Sequence, residues 1–283
     1  GSLLFDEDGR NYIVYGNDEI WITELNEDLT APKKGGLHRL LVSDHKNPEL
    51  GYEGSHIQKI NGYYYIFLVH SLRDRWMRTE ACFYSDSLEG EFTGGDVLCD
   101  DRGYCGQGVA QGGIVDTPDG KWYAMLFQDS GAVGRIPILL PVTWKDHFPF
   151  FGQNGHVPEE IEVHSTRPGY IYQPLVGSDD FCNGLLPRWQ FNHDPDPRYY
   201  HLDALQGTYT ITTREVCTEL TQAVNTLTQR MSYPSCAAEV TVDASALKEG
   251  DVAGLCALQS CYAAVGITKH HGKYEVLMLD KKE

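Results

Sequence analysis

The chain is poor in basic residues: 23 Lys and Arg stand against 40 Asp and Glu in 283 residues, a formal net charge of -17. No run of the sequence gathers Lys and Arg into a patch, so a nucleic-acid backbone or an anionic membrane surface would be repelled. Long apolar runs are also missing. The stretch Ile136–Val142 is broken by Pro137 and Pro141 and falls far short of the roughly 20 residues a membrane helix needs. Neither a nucleic-acid partner nor a membrane is expected. The eight cysteines, at 82, 99, 105, 182, 217, 236, 256 and 261, include no pair at the two-residue spacing of zinc knuckles and redox motifs. They are expected to be reduced, buried, small hydrophobic residues, with no structural metal. There is no Asn-x-Ser/Thr sequon, GxxxxGK[ST] phosphate loop, GxSxG elbow or HExxH helix, which removes the nucleotide, acyl-transfer and metalloprotease readings. The segment GQGVAQGG at 106–113 has only part of a dinucleotide fingerprint, and no helical pattern follows it.

What is present is a repeat. An apolar strand, a Gly-centred turn and an aromatic-rich strand recur as SLLFDEDGRNYIVYG, SHIQKINGYYYIFLVHS and GGIVDTPDGKWYAMLFQDS. The turns hold Asp8-Gly9, Asn61-Gly62 and Asp119-Gly120, dipeptides that suit two-residue hairpins. The three glycines are 53 and 58 residues apart, room for four strands per repeat, as in a propeller blade. ACFYSDSLEGEF and RIPILLPVTW supply outer strands after the second and third copies. Between about 155 and 180 the pattern lapses into prolines, glycines and acids, which reads as a linker. Beyond it TYTITT, AAEVTVDA, VAGLCALQS and the hairpin AAVGITKHHGKYEVLML read as strands of a second all-β domain, a sandwich. The expected division is residues 1–178 and 179–283.

Within the repeats one carboxylate has an unusual setting. Glu53 lies in GYEGSHI between Gly51 and Gly54, at the start of what would be an innermost strand, where a propeller places its ligand pocket. A partly desolvated carboxyl there could serve as a general acid, and the glycines would let a ligand approach the backbone. By strand alternation, His56 three residues on is expected on the opposite face, leaving a site role and a structural one both open. Gln111 opens the third repeat at the position expected to match Glu53, and is a candidate for binding substrate. Trp76, in RDRWMR, is a candidate pocket wall for the apolar face of a sugar ring.

GYEGSHIQKINGYYYIF closely resembles the Glu-Gly-Pro/Ser-His segment of family-43 glycoside hydrolases, five-bladed propeller enzymes acting on xylan and arabinan side groups. SLLFDEDGRNYIVYG, MRTEACFYSDSLEGEF and VAQGGIVDTPDGKWYAMLF followed by GRIPILLPVTW are similar to further segments of that family in the same order. LLPRWQFNHDPDPRYYHL resembles the start of the concanavalin-A-like sandwich that follows the propeller in its β-xylosidases. The resemblance implies an all-β chain: about three blades of a five-bladed propeller, then part of a sandwich. It implies a glycosidase of the inverting type, a β-xylosidase acting on xylo-oligosaccharide or arabinoxylan or an α-L-arabinofuranosidase, with Glu53 as general acid and Arg135 donating to sugar hydroxyls. The family's base aspartate and the aspartate that tunes the acid would both precede Gly1, so a non-catalytic carbohydrate-binding piece is a further alternative. Asp6 and Asp8 match turn acids of the family rather than catalytic ones. Where some members carry a calcium-associated His, VAQGGIV has none, and no cofactor is expected. Compartment and a homo-oligomeric state stay open.

Overall fold

A computed structural model describes residues 1–163, 165–232 and 235–282. The chain divides into two compact units, Gly1–Ser165 and Thr166–Glu283. Three four-stranded antiparallel sheets make up the first. They comprise β1 (Ser2–Phe5), β2 (Asn11–Asn17), β3 (Glu19–Leu25) and β4 (His38–Ser43); β5 (Glu53–Ile60), β6 (Tyr63–Ser71), β7 (Arg78–Ser85) and β8 (Thr93–Leu98); and β9 (Ala110–Asp116), β10 (Trp122–Asp129), β11 (Arg135–Lys145) and β12 (Phe148–Phe151). In each sheet the strands pair in chain order. These are three propeller blades, and the first also has the two outer strands that its sequence does not advertise. All-β architecture continues in the second unit, part of a β-sandwich.

The hairpins inside the blades differ more than their sequences suggest. Between β5 and β6 only Asn61 and Gly62 intervene, both with positive φ (50° and 85°), the expected two-residue turn. In the other two the loop is longer: Asp6 N donates to Arg10 O and Thr117 N to Lys121 O, and only Gly9 and Gly120 enter the left-handed region. This leaves Asp6 free to clasp blades one and two. Its carboxylate accepts from Lys59 Nζ at 2.6 Å and from Tyr64 Oη at 2.5 Å. Burial pushes the Asp6 pKa up, but the hydrogen bonds from Lys59 and Tyr64 more than offset this and hold it below the ordinary aspartate value.

β6 explains the core. Tyr64, Ile66 and Leu68 pack with Leu4, Tyr12, Val14, Ile20 and Ile22 of the first blade. The alternate residues Tyr65 and Phe67 pack with Ile114, Leu126, Leu140 and Phe151 of the third. A strand covered on both faces carries a continuous apolar run, here YYYIFLV, whereas β2 has a covered face and an open one and alternates. On the open side Leu3 and Phe5 are exposed, and across the third blade so are Val115, Met125 and Phe150.

In the second unit β13 (Gln190–Phe191) pairs with β16 (Leu227–Thr228), and β14 (Tyr200–Asp203) with β15 (Thr208–Ile211). β17 (Val252–Leu258), β18 (Tyr262–His270) and β19 (Lys273–Lys281) form a three-stranded sheet. The alternating segment AAEVTVDA forms no strand. Its residues are mostly exposed and no neighbouring strand pairs with their backbone, without which alternation alone does not make a strand. The cysteine expectation also needs correction. All eight are free, yet only Cys82 is buried, and Cys99, Cys105, Cys182, Cys217 and Cys236 are exposed, because they lie in loops and at strand ends rather than on inward faces. No helix among the described residues is long and apolar enough to cross a membrane.

Phe67 is fully buried and stacks on Phe151 at 5.9 Å. Phe67→Ala is expected to cost about 3–5 kcal/mol in urea unfolding, and Phe5→Ala, at an exposed position, about 0.5 kcal/mol or less. The Asp6 contribution to folding, from a depressed pKa, is present above the unfolded value near 3.8 and is lost as the pH falls through the folded one. Asp6→Asn is therefore expected to lower stability at neutral pH and to flatten the acid limb of a stability–pH curve measured by thermal melting.

Candidate active site

One end of the three blades collects the start of β5, the end of β6, the starts of β7, β9 and β11, and the ends of β2 and β10. Glu53 stands here, half-buried at the first position of β5. The strand is not regular at this point. Glu53 pairs with Val69 and His56 with Phe67, so Gly54 and Ser55 together oppose the single residue Leu68. This is a β-bulge, with Gly54 at φ 65°. Its first consequence is a correction. Because Val69 and Phe67 lie on the same face of β6, the bulge brings His56 to the same face as Glu53, not the opposite one.

The glycines beside the acid have protein neighbours. A Cβ on Gly51 would meet Asp18 Oδ1 and stand 3.0 Å from the Asp18 Cα, and a Cβ on Gly54 would stand 2.6 Å from Gln111 Nε2. Close approach is indeed their role, but it is the approach of the first and third blades. Asn17, at the end of β2, donates from Nδ2 to Glu53 Oε2 at 3.1 Å.

β9 repeats the bulge. Ala110 pairs with Phe127 and Gly113 with Met125, leaving Gln111 and Gly112 opposite Leu126. The register makes Ala110, not Gln111, the counterpart of Glu53, and Gln111 the counterpart of Gly54, with a matching φ of 68°. Gln111 is held on several sides. Its backbone N–H donates to Glu80 Oε2 at 2.6 Å, and its Oε1 accepts from Arg78 Nη2 at 3.4 Å.

Arg78 and Glu80 are the residues the sequence reading passed over, together with Asn17, Phe127 and Asp129. A signal was available: two charges at alternate positions of β7, within a strand whose other residues are apolar or small, share one face and must find partners there. Arg78 is buried and donates to Asp129 Oδ2 at 2.9 Å. Burial lowers its pKa, and the carboxylates of Asp129, Glu80 and Glu53 oppose that. Arg135 reaches the same Asp129, Nε to Oδ1 at 3.2 Å, and is largely exposed. Both guanidinium groups lie over the Phe127 ring, at 4.7 Å and 4.6 Å from its centre. Glu80 is fully buried. Desolvation raises its pKa well above the usual glutamate range, against the opposing pull of the Gln111 amide and the Arg78 charge.

The remaining candidates lie near this cluster. His56, exposed on β5, stands beside Gly113 of β9, and the partial desolvation of its ring lowers its pKa. Trp76 is 40% exposed in the turn between β6 and β7, packed over Gly106. Asp6 and Asp8 belong to the β1–β2 turn, at the other end of the blade. At that end too a cleft of about 310 Å³, lined by Lys59, Asp116 and Trp122 among others, opens between β5 and β9, away from Glu53. Among the described residues no three His, Cys, Asp or Glu side chains are grouped to hold a metal ion.

The arrangement offers a carboxyl at a strand end, an amide fixing one of its oxygens, and a guanidinium at the solvent edge with paired donors. These parts suit protonation of an ether oxygen in a hydroxyl-rich ligand.

Comparison with known proteins follows the same division. Residues 1–149 match the family model of glycosyl hydrolases family 43, and residues 178–283 that of the β-xylosidase C-terminal concanavalin A-like domain. A putative β-xylosidase of Xylanibacter ruminicola is 27% identical over 279 residues, 94% of this chain and 50% of that protein. A non-reducing end α-L-arabinofuranosidase of Bacteroides ovatus is 26% identical over 170 residues, 55% of this chain and 31% of that protein. Among solved structures, a bifunctional GH43-CE protein of Bacteroides eggerthii superimposes with a TM-score of 0.82 at 39% identity, covering 98% of this chain and 36% of that one. The chain spans about half the length of the curated relatives it matches first. With its three blades and the concanavalin-A-like segment that follows them, the chain belongs to glycosyl hydrolases family 43.

Proposed function

We propose that this chain forms the acid-bearing part of an inverting exo-β-xylosidase, with Glu53 protonating the leaving oxygen as xylose departs from the non-reducing end of a xylo-oligosaccharide. The observation that carries this reading is the bulged start of β5, which sets Glu53 on Asn17 and within electrostatic reach of Arg78, itself tied to Asp129 and through it to Arg135. In an inverting reaction a second carboxylate, roughly 6.5–9.5 Å away, draws a proton from the attacking water on the opposite face of the sugar. In this reading that base, and the aspartate that tunes the acid, lie on a segment preceding this chain. Arg135, His56 and Trp76 form the sugar-binding edge: Arg135 donates to paired hydroxyls, and Trp76 offers an apolar face. The catalytic portion is taken to run to residue 178 and the sandwich from 179, in keeping with the family match that begins at 178. An α-L-arabinofuranosidase is the second reading, favoured by the Bacteroides ovatus relative, since the same acid would serve either pentose.

Assays of this polypeptide, and of a protein extended N-terminally through the preceding blades, on nitrophenyl xyloside and nitrophenyl arabinofuranoside separate these readings. Hydrolysis of the xyloside by the extended protein and not by this chain alone is expected. Robust turnover by this chain alone would refute an external base, and no turnover of either glycoside by the extended protein would refute the glycosidase reading. In the active protein Glu53→Gln is expected to lower kcat by about two to four orders of magnitude on substrates with poor leaving groups. Arg135→Ala is expected to raise KM about tenfold, the scale of one lost charge-assisted hydrogen bond, and Arg135→Lys to restore little of it because a single ammonium lacks the planar fork.

A further inference from the structure

The fully buried Glu80 has no part in the reaction just described. It lies on β7, facing the third blade, with Oε2 on the Gln111 amide and Oε1 without a hydrogen-bond partner among the described residues. A buried carboxyl with one oxygen unsatisfied is costly, and an apolar residue in this strand would avoid the cost. What it satisfies is specific. A β-bulge leaves its extra residue out of the ladder, and Gln111 is that residue in β9, held at a φ of 68° that side chains other than glycine rarely adopt. Glu80 takes the amide that the bulge turns away from β10.

The other end of Gln111 faces the acid. Its Oε1 is fixed by Arg78, and its Nε2 lies over Gly54, the bulge residue that follows Glu53. The two bulges are thus stacked across the interface between the second and third blades. One carries the acid, and the other is pinned by Glu80.

We propose that Glu80 is a positioning residue for the Glu53 acid, acting through Gln111: by fixing the bulge in β9 it sets the Gln111 amide against Gly54 and so holds the Glu53 carboxyl at the leaving oxygen. This assigns Gln111 to holding the acid rather than to binding sugar. It rests on the reading of Glu53 as general acid.

The test uses leaving-group dependence in the N-terminally extended, active protein. An activated aryl xyloside such as the 2,4-dinitrophenyl compound departs with little protonation, whereas xylobiose requires it. Glu80→Ala is expected to lower kcat on xylobiose about 10- to 100-fold while changing KM and the rate on the activated xyloside by about threefold or less. Glu80→Gln, which keeps an acceptor oxygen for the Gln111 amide, is expected to recover about tenfold of that loss. Gln111→Gly accepts the same φ without the side chain. It is expected to reproduce the selective loss, and Glu80→Ala/Gln111→Gly to lose no more than either change alone, the non-additivity of residues acting in series.

Equal losses on both substrates in Glu80→Ala or Gln111→Gly would show a merely structural role and overturn the proposal, as would no loss or full additivity. If Glu80→Ala does not fold, Gln111→Gly decides by the same comparison. Glu53→Gln is the control. If it is selective for xylobiose and the clamp variants are not, the positioning role alone fails; if it loses equally on both substrates, the acid assignment fails and the positioning role with it.

Discussion

Two-sided burial of β6 is the constraint on which the first unit depends. Its even-numbered side chains are filled in by the first blade and its odd-numbered ones by the third, through Tyr64, Ile66 and Leu68 on one face and Tyr65 and Phe67 on the other. A strand in that position cannot slip by one residue without exchanging its two sets of neighbours. It therefore fixes β5, its partner, between β1 and β9. The candidate site inherits its geometry from this arrangement, since Asn17, the Glu53–Gly54 bulge and Gln111 belong to three different sheets and meet because the middle sheet is held from both sides.

Much of this was legible in the residues. Three repeats spaced for four strands each gave the blades, because a strand–turn–strand pattern is local and survives in any tertiary context. The unbroken run YYYIFLV is the pattern a doubly covered strand leaves, although it was read only as aromatic-rich. AAEVTVDA shows the limit of such patterns: alternation states which face would be buried, but pairing needs a neighbour, and none is placed beside it. The outer strands EIWITEL and HRLLVS of the first blade were missed because Gly- and Lys-rich loops separate them and neither has a repeated partner.

The site was legible only in part. Residue type and resemblance single out Glu53 and Arg135, and the structure places both at one end of the blades, but the relation of His56 to Glu53 was misjudged because a bulge changes the parity of a strand, and nothing in GYEGSHI except its second glycine hints at one. The same effect shifted the alignment of Gln111 by one residue, from the counterpart of Glu53 to that of Gly54. Arg78 and Glu80 were visible as charges in an apolar strand. Their partners could not be read, because Asp129 and Gln111 lie more than thirty residues away and reach them only across a blade interface.

The glycine at position 54 answers to two demands at once. Its backbone needs a positive φ, and the space where a side chain would begin is already taken by an amide from the next blade. Alanine there would meet both penalties, and a larger residue would push the blades apart. The position next to Glu53 is thus nearly closed to substitution for reasons of backbone conformation and packing alone. If the proposed function holds, changes that retune substrate preference fall instead to the exposed edge, around Arg135 and Trp76, where side chains can vary without disturbing the way the blades meet.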